Sequence, residues 1–191
     1  MQTAGRLVVA AVMAAALLVS GCTHKSASDI TGQFVPFLRT RDSAVENAAL
    51  GKKYFDTASV GQLSICYGDL RSKAGRYSDF IVGVIRSATF DASQNQLDEH
   101  DLEVSIASYN DCTLKVQKAA VAKRPAPALS LIGAEWLPAF GQSVGSYWAR
   151  DGALVQSLSN SAKAQLIDQI TTMTEWPDFA TIGGGSPAPT P

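Results

Sequence analysis

The stretch ASVGQLSICYGDLRSKAGRYSDFIVGVIRSATF, residues 58–90, decides the fold that this sequence predicts. Its apolar residues follow one another at steps of three or four, and most of its charged residues fall outside that row. The row consists of Leu63, Cys66, Leu70, Ala74, Tyr77, Ile81, Val84 and Ala88. This spacing predicts an amphipathic helix with one buried stripe, which is more typical of a domain core than of a partner-binding face.

A second apolar row follows in the sequence. Acidic residues precede this row and basic residues follow it, a polarity that suits the helix dipole and predicts one helix over 97–123. Its buried face would consist of Leu102, Ile106, Tyr109, Cys112, Val116 and Ala120. A β-hairpin at 102–116 is the alternative, because both halves of that segment alternate and Asn110-Asp111 between them is good turn chemistry.

A shorter helix is predicted before this pair. Ser43 followed three residues later by Glu46 is a capping box, so this helix should begin near Ser43 and end near Phe55. Gly51 weakens the prediction, because glycine is a poor helix former. The polar residues 91–96 predict the turn that joins the two long helices.

After the pair, the proline-rich residues 124–129 predict a stiff linker. A helix is then expected from about Ala128 to Trp136, broken or restarted at Pro138. The apolar residues between 140 and 158 fit a further helix, which three glycines weaken.

The last helix is predicted to begin at Asn160-Ser161 and to end before Pro177. Residues 33–180 should therefore form one mainly α domain, a bundle of four to six helices. Residues 181–191 are rich in glycine, serine and proline, a composition that predicts a disordered tail.

The start of the chain has the pattern of a processing signal. Arg6 is its only charged residue, and residues 7–19 are all Ala, Val, Leu or Met, too short a run to span a bilayer as a stable helix. Val19-Ser20-Gly21-Cys22 resembles the lipobox of bacterial lipoprotein signal peptides and matches it at every place. The resemblance implies that residues 1–21 are cleaved off and that Cys22 carries a diacylglycerol thioether.

The resemblance also implies a location. The domain would lie outside the cytoplasm, attached to the membrane through the lipid on Cys22, with residues 22–32 as a flexible tether. Thr23 rather than aspartate follows Cys22, which resembles lipoproteins sorted to the outer membrane and facing the periplasm, if the host has two membranes. A plain secretory peptide is the alternative, but it gives no reason for a cysteine at this place.

With Cys22 assigned to lipid, two cysteines remain in an oxidising compartment. If the two long segments are antiparallel helices, a contact between Cys66 and Cys112 places the fold point at residue 89, just before the polar turn. A disulfide is therefore predicted, and closing its loop of about 46 residues would stabilise the fold by about 4 kcal/mol. Two unrelated buried thiols are the alternative.

Charge excludes one class of partner. Cleavage at Cys22 leaves 170 residues with 15 lysines and arginines against 17 aspartates and glutamates. This near balance argues against nucleic acid, which usually requires a basic face. It also offers no basic patch for anionic lipid, so the acyl chains alone would hold the protein at the membrane.

One catalytic pattern occurs. Gly141-Gln142-Ser143-Val144-Gly145 matches G-x-S-x-G, in which a strained turn between strand and helix exposes the serine. The surrounding apolar period is helical, and both histidines, His24 and His100, precede Ser143, whereas that class of hydrolase places its histidine after the serine. His100 has acidic neighbours but no second histidine or cysteine at ligand spacing. We therefore expect no catalytic residue, no metal and no cofactor.

These observations favour a non-enzymatic envelope lipoprotein that binds or scaffolds another envelope protein. A small-ligand-binding envelope module is one alternative, although Trp136, Trp148 and Trp176, which could line its pocket, are more typical of a core. A serine hydrolase that uses Ser143 is the other. Beyond Cys22 the sequence carries no motif of a known family.

Overall fold

The structure, a computed structural model, describes residues 31–87, 89–121, 125–144 and 158–183. These residues form a mainly α-helical bundle, as predicted. The helices are α1 (Val35–Tyr54), α2 (Thr57–Ser87), α3 (Ala92–Val121), α4 (Leu137–Val144) and α5 (Asn160–Thr174), followed by a 3₁₀ helix (Phe179–Thr181). The long helix α2 lies at the centre, in contact with α1, α3, α5 and the 3₁₀ helix.

The helices α2 and α3 form an antiparallel hairpin, and each is about 45 Å long at 1.5 Å per residue. Asp56 caps α2 by accepting a hydrogen bond from the backbone N–H of Ser59 at 2.8 Å. Asp91 caps α3 by accepting from two backbone N–H groups of its first turn. Because residues 102–116 are helical, the helix prediction for this segment is confirmed and the β-hairpin alternative is wrong.

The turn of the hairpin is shorter than the sequence predicts. A turn at 91–96 and a helix from 97 are expected, whereas α3 begins at Ala92. The reason is the cap at Asp91, which satisfies first-turn N–H groups that would otherwise favour an irregular conformation. Asn95 consequently lies in the helix, where it is buried and accepts a hydrogen bond from the Tyr77 hydroxyl at 3.3 Å.

The first helix begins earlier than predicted. α1 starts at Val35, so Ser43 lies inside the helix and the predicted start there is wrong. Pro36 suits the first turn, because its missing N–H would have no intrahelical partner there. Phe34 and Phe37 are buried and fix this extra part of the helix on the core. The local capping pattern is thus overridden by tertiary packing.

Gly51 marks a close approach of α1 and α2. A Cβ atom on this residue would lie 2.4 Å from Cδ2 of Leu63, which is nearer than such atoms can come. The glycine that weakens the helix prediction is therefore required by the packing of the two helices.

The helix predicted at 128–136 is wrong. Residues 125–134, here called the strap, form no helix, and every third side chain is turned towards the core. These side chains are Ala126, Leu129 and Ile132. A period of three is that of polyproline II, which the two prolines of the strap favour. α4 begins after the strap and carries Pro138 in its first turn, so this proline starts a helix instead of breaking one.

Two asparagines from different helices hold the strap. Asn47 of α1 donates a hydrogen bond to the Ser130 carbonyl and accepts one from the Ser130 N–H, both at 2.8 Å. Asn110 of α3 binds the carbonyl and N–H of Ile132 in the same way, at 2.8 and 2.9 Å. Asn47 is completely buried. We call Asn47 and Asn110 the amide clamp.

The C-terminal part packs against α1 and α2. Ser159 caps α5 by accepting a hydrogen bond from the N–H of Ala162 at 3.1 Å, one residue before the cap predicted at Asn160. After α5, Trp176 packs on Tyr67 with their ring centroids 5.7 Å apart. The Nε1–H of Trp176 is buried and has no hydrogen-bond partner among the described residues.

Lys52 of α1 fastens the end of the described chain. Its Nζ donates to the carbonyls of Phe179, Ala180 and Ile182 at 2.5, 2.9 and 2.6 Å. Gly183 follows with a φ of 67°, in the left-handed region that favours glycine. The chain is therefore packed against α1 beyond residue 180, where the sequence predicts the tail to begin.

Several predictions fall outside the described residues. They concern the lipobox with Cys22, the tether up to residue 30, residues 145–157 of the helix expected between 140 and 158, and residues 184–191 of the tail. Residues 31 and 32, predicted to end the flexible tether, are helical, and the Thr31 carbonyl accepts a hydrogen bond from the Phe34 N–H at 3.1 Å. Within the part of the chain that the structure describes, no helix is long and apolar enough to cross a membrane.

Candidate functional site

Cys66 of α2 and Cys112 of α3 face each other across the hairpin. Their Cα atoms are 6.4 Å apart, within the range that a disulfide spans, and their sulfur atoms lie within bonding distance. The predicted proximity of the two cysteines is therefore confirmed. Both are only half-buried, because Tyr67 and Thr113, the next residue in each helix, take the core positions and are 0% exposed. The cysteine pair thus lies at the edge of the helix seam.

A shallow groove of about 480 Å³ runs beside this cysteine pair. Its walls include Gln62 and Ile65 from α2, and Ser108, Asp111 and Lys115 from α3. Ile65 is 74% exposed, more than any other large apolar side chain in the described residues. The groove is open and mixed in polarity, which favours a protein surface over an enclosed ligand pocket.

The side of α3 that faces away from the core also carries large apolar residues. Leu97, Val104, Leu114 and Val121 are 56%, 50%, 50% and 42% exposed. They belong to a continuous exposed row with alternating steps of three and four, which we call the outer row. Its members are Leu97, His100, Val104, Ala107, Asp111, Leu114, Lys118 and Val121. This is the seven-residue repeat with which one helix packs along another.

The outer row and the groove form one surface, because Asp111 belongs to both. α3 therefore has two apolar faces. The inner face is filled by the core, with Leu102, Ile106, Tyr109 and Val116 each 0–1% exposed. The outer face has no protein over it in the described residues. A helix that is apolar on two sides normally packs against protein on both.

Polar contacts with α2 hold α3 in place beneath the outer row. Lys73 and Arg76 both donate to Oδ2 of Asp101, at 2.9 and 2.8 Å. The hydrogen bond from Lys73, with the charges of both cations, lowers the pKa of Asp101. Ser105 donates to Asp69 at 2.9 Å one turn further along. The outer row is thus presented on a braced helix.

Ser143 does not lie on a nucleophile elbow. Residues 141–144 of the G-x-S-x-G pattern are the end of α4, so the strand-to-helix turn of a hydrolase is replaced by a helix. The Ser143 hydroxyl donates to Oε1 of Gln33 at 2.7 Å, and an amide oxygen cannot act as the general base of a triad.

The first glycine of that pattern has a packing role. A Cβ atom on Gly141 would overlap the Glu99 carboxylate, so this side chain would have to move to admit a larger residue where α4 meets α3. Desolvation at this contact, with a smaller contribution from Glu103, raises the pKa of Glu99. The first glycine of the catalytic-motif match therefore lies at a contact between α4 and α3.

His100 is an exposed member of the outer row. Its Nδ1 lies 3.9 Å from Oε2 of Glu103, and its side chain is 69% exposed. Among the described residues no group of three histidine, cysteine or acidic side chains is placed to hold a metal ion.

Two features of the structure, the outer row and the amide clamp, are not predicted from the sequence. The outer row is not predicted, because the assignment of one buried stripe to this helix leaves the opposite side to solvent. The spacing of Leu97, Val104, Leu114 and Val121 is nevertheless visible in the sequence. The amide clamp is not predicted, because Asn110 suggests a turn and Asn47 lies in a segment whose helical prediction gives it no tertiary partner. An asparagine inside a helix, where its propensity is low, is the available signal.

Comparison with known proteins found no matching protein family, no matching curated protein and no matching solved structure.

Proposed function

We propose that this protein is a non-enzymatic, lipid-anchored envelope protein that binds another envelope protein, with the outer row as its docking surface. The exposed apolar repeat on α3 is the observation that carries the proposal. Its four large apolar residues are each about half exposed, and burying the exposed half would contribute about 1 kcal/mol per side chain. That is enough to matter at an interface and too little to require permanent association.

The shape of the surface supports a helical partner. A row at steps of three and four on a straight helix offers knobs and holes along its length, and a second amphipathic helix fits such a row. Because Lys73 and Arg76 bind Asp101 below it, α3 is already ordered before a partner arrives. Little conformational entropy is then lost at binding.

The lipid on Cys22 would give the surface its location. A tether of residues 22–30 extends at most about 30 Å, which leaves the domain free to turn towards a partner in the same membrane. A diacylglycerol provides two acyl chains, and two chains hold a protein stably where one does not.

The anchor is tested by metabolic labelling with an alkyne fatty acid. We expect label on the full chain and none on the Cys22→Ser variant, which should leave the membrane fraction. Label that persists in Cys22→Ser, or an unlabelled chain, would contradict the anchor without touching the docking surface.

The docking surface is tested with a photo-crosslinking amino acid in the lipid-anchored chain, in native membranes. Incorporation at Val104 or Leu114 should give one discrete crosslinked protein, whereas incorporation at Gln165, exposed on α5, should not. The same pattern of products from all three positions would contradict a specific docking surface on α3.

A further inference from the structure

If the outer row docks a helix, as proposed above, its charges limit which helix can lie there. The row is apolar except at His100, Asp111 and Lys118. These three residues are exposed and lie among the apolar positions that a partner helix would cover. A partner must therefore place suitable groups opposite them, or leave charged side chains buried without a counter-charge.

A second copy of α3 in the parallel direction does not meet this requirement. In a parallel pair with matched ends, each residue faces its own equivalent. Asp111 would then face Asp111 of the second copy, and Lys118 would face Lys118. Like charges placed in contact oppose association, so the parallel arrangement is disfavoured.

An antiparallel second copy places suitable groups opposite these charged residues in one register. When Leu97 faces Leu114 of the second copy, the same spacing brings His100 opposite Asp111 and Val104 opposite Ala107. Each of these contacts occurs twice, because the pair has two-fold symmetry. The central polar layer then joins an imidazole to a carboxylate, which can form a hydrogen bond in either protonation state of the ring. Lys118 lies opposite Ser93 of the second copy, at the end of the pair.

The register shifted by one heptad pairs the charged residues less well. Moving the second helix by one heptad places His100 opposite Lys118, and leaves Asp111 opposite Ala107 with no polar group to meet it. The charge pattern therefore favours the first register, although the shifted one pairs Leu97 with Val121 and Val104 with Leu114 and covers more apolar surface. Selection of one register by polar positions within an apolar row is the usual device of paired helices.

We infer that the outer row binds the outer row of a second copy of this chain, as an antiparallel α3 pair in the register that joins His100 to Asp111. Among the flanking residues, Asp101 falls beside Ser108 of the second copy. The exposed Ile65 borders the same surface through the groove at Asp111. The proposed envelope partner is then a second copy of the chain.

The lipid anchor is compatible with this symmetry. The two-fold axis of an antiparallel helix pair is perpendicular to the helices, so when it stands normal to the bilayer both chains send their tethers to the same membrane. Two tethered copies also meet at a high effective concentration, which favours a pair held by a few apolar layers.

The register is tested by disulfide crosslinking of two differently tagged copies in native membranes. A Leu97→Cys copy with a Leu114→Cys copy should give a strong heterodimer band on mild oxidation. A Val104→Cys copy with a Leu114→Cys copy, which face each other only in the register shifted by one heptad, should give at most a tenth of that band. Equal yields for both pairs would overturn the inference.

A charge exchange tests the polar layer with the lipid-anchored chain in detergent. His100→Asp places two carboxylates in contact twice per dimer and should raise the dimer Kd at least about fivefold. The double variant His100→Asp/Asp111→Lys replaces this repulsion by attraction and should return the Kd to within about twofold of the unchanged chain. Both residues are exposed, so folding is unaffected, and a double variant as weak as the single one would overturn the polar layer.

The two proposals fail differently. If the chain is monomeric and the cysteine pairs give no dimer, while Val104 crosslinks to a different protein, the second copy is wrong and the docking surface stands. If Val104 and Leu114 crosslink to no protein at all, the docking surface fails and the second copy fails with it.

Discussion

Two regions tie distant parts of this chain together by different means. The cysteine pair joins α2 to α3 over a separation of 46 residues, at the half-buried edge of a seam that is already well packed. The amide clamp joins the strap to α1 and α3, with Asn47 acting over 83 residues from inside the core. A disulfide stabilises chiefly by restricting the unfolded chain, whereas the clamp contributes only in the folded state.

The difference explains why each tie lies where it does. Helices satisfy their own backbone groups, so the backbone of the hairpin needs no side-chain partners and a cross-link at its edge costs little packing. The strap has no partner strand and no helical hydrogen bonds, and its polar groups must be met by side chains. Asparagine supplies one donor and one acceptor on the same amide, which matches the N–H and C=O of one residue.

Removing the cysteine pair should have the largest effect. Cys66→Ala/Cys112→Ala should lower the free energy of unfolding by about 4 kcal/mol in urea denaturation, because the unfolded chain regains the freedom of its closed loop. The unchanged chain in dithiothreitol should behave like the variant. A chain whose urea midpoint is the same with and without reductant would show that this tie contributes no stability.

Breaking the amide clamp should cause the second-largest loss of unfolding free energy. Asn47→Leu should lower the free energy of unfolding by about 3 kcal/mol, because it removes three hydrogen bonds, two to Ser130 and one to the Tyr109 hydroxyl, and leaves the polar groups of Ser130 unpaired. The loss should be the same in oxidised and reduced protein, since the clamp acts in the folded state.

The matched control is Glu46→Leu, at an exposed neighbouring position of α1, which should change stability by less than about 0.5 kcal/mol. A loss below about 1 kcal/mol for Asn47→Leu would mean that the strap is held by Leu129 and Ile132 instead.

Alkaline pH should weaken the clamp region. Burial raises the pKa of Tyr109 from 10.0 to about 12, and the hydrogen bond from Asn47 offsets this only in part. The folded state therefore holds this proton more tightly than the unfolded state, so stability is full below about pH 10 and falls as the pH rises towards 12.

Urea denaturation at about pH 9 and about pH 11.5 measures the fall, of which Tyr109 should contribute at most about 2 to 3 kcal/mol. Tyr109→Phe removes the contribution of this hydroxyl to the fall, so the variant should lose less unfolding free energy between the two pH values. An identical fall in both proteins would assign it to other groups.

The smallest effect is expected at the outer row. Val104→Lys should change the free energy of unfolding by less than about 0.5 kcal/mol, because this side chain is half exposed and contributes to neither tie. Ile106→Lys, two residues away on the inner face, should be severely destabilising because it buries a charge. Thermal melts of the two variants compare the faces directly.

The hairpin could be predicted because its signals are local and repeated. An apolar residue recurs every turn through α2 and α3, and the two cysteines then fix which parts of the helices meet. The prediction erred by one residue at each cysteine, because Tyr67 and Thr113 occupy the core instead. A row of apolar residues defines a stripe about 100° wide, and one residue at its border does not shift the pattern.

The strap could not be predicted, because what holds it lies elsewhere in the sequence. Residues 128–136 are apolar enough for a short helix, and nothing near them shows that Asn47 and Asn110 will bind their backbone. The start of α1 was predicted wrongly for a similar reason. Phe34 and Phe37 precede the capping box at Ser43 in the sequence, and their burial in the core extends the helix. The candidate docking surface follows from α3 alone and was available in the sequence.

The fluorescence of Trp176 can show whether the segment after α5 is packed against α2. Its indole is 4% exposed, its N–H has no hydrogen-bond partner among the described residues, and it stacks at an angle on Tyr67. An indole in such dry surroundings emits at short wavelength and receives excitation energy from the adjacent phenol. In a chain whose other tryptophans, Trp136 and Trp148, are replaced by phenylalanine, detachment of the segment after α5 would therefore shift the fluorescence to the red. A red shift at a lower urea concentration than the loss of helical circular dichroism would identify local opening.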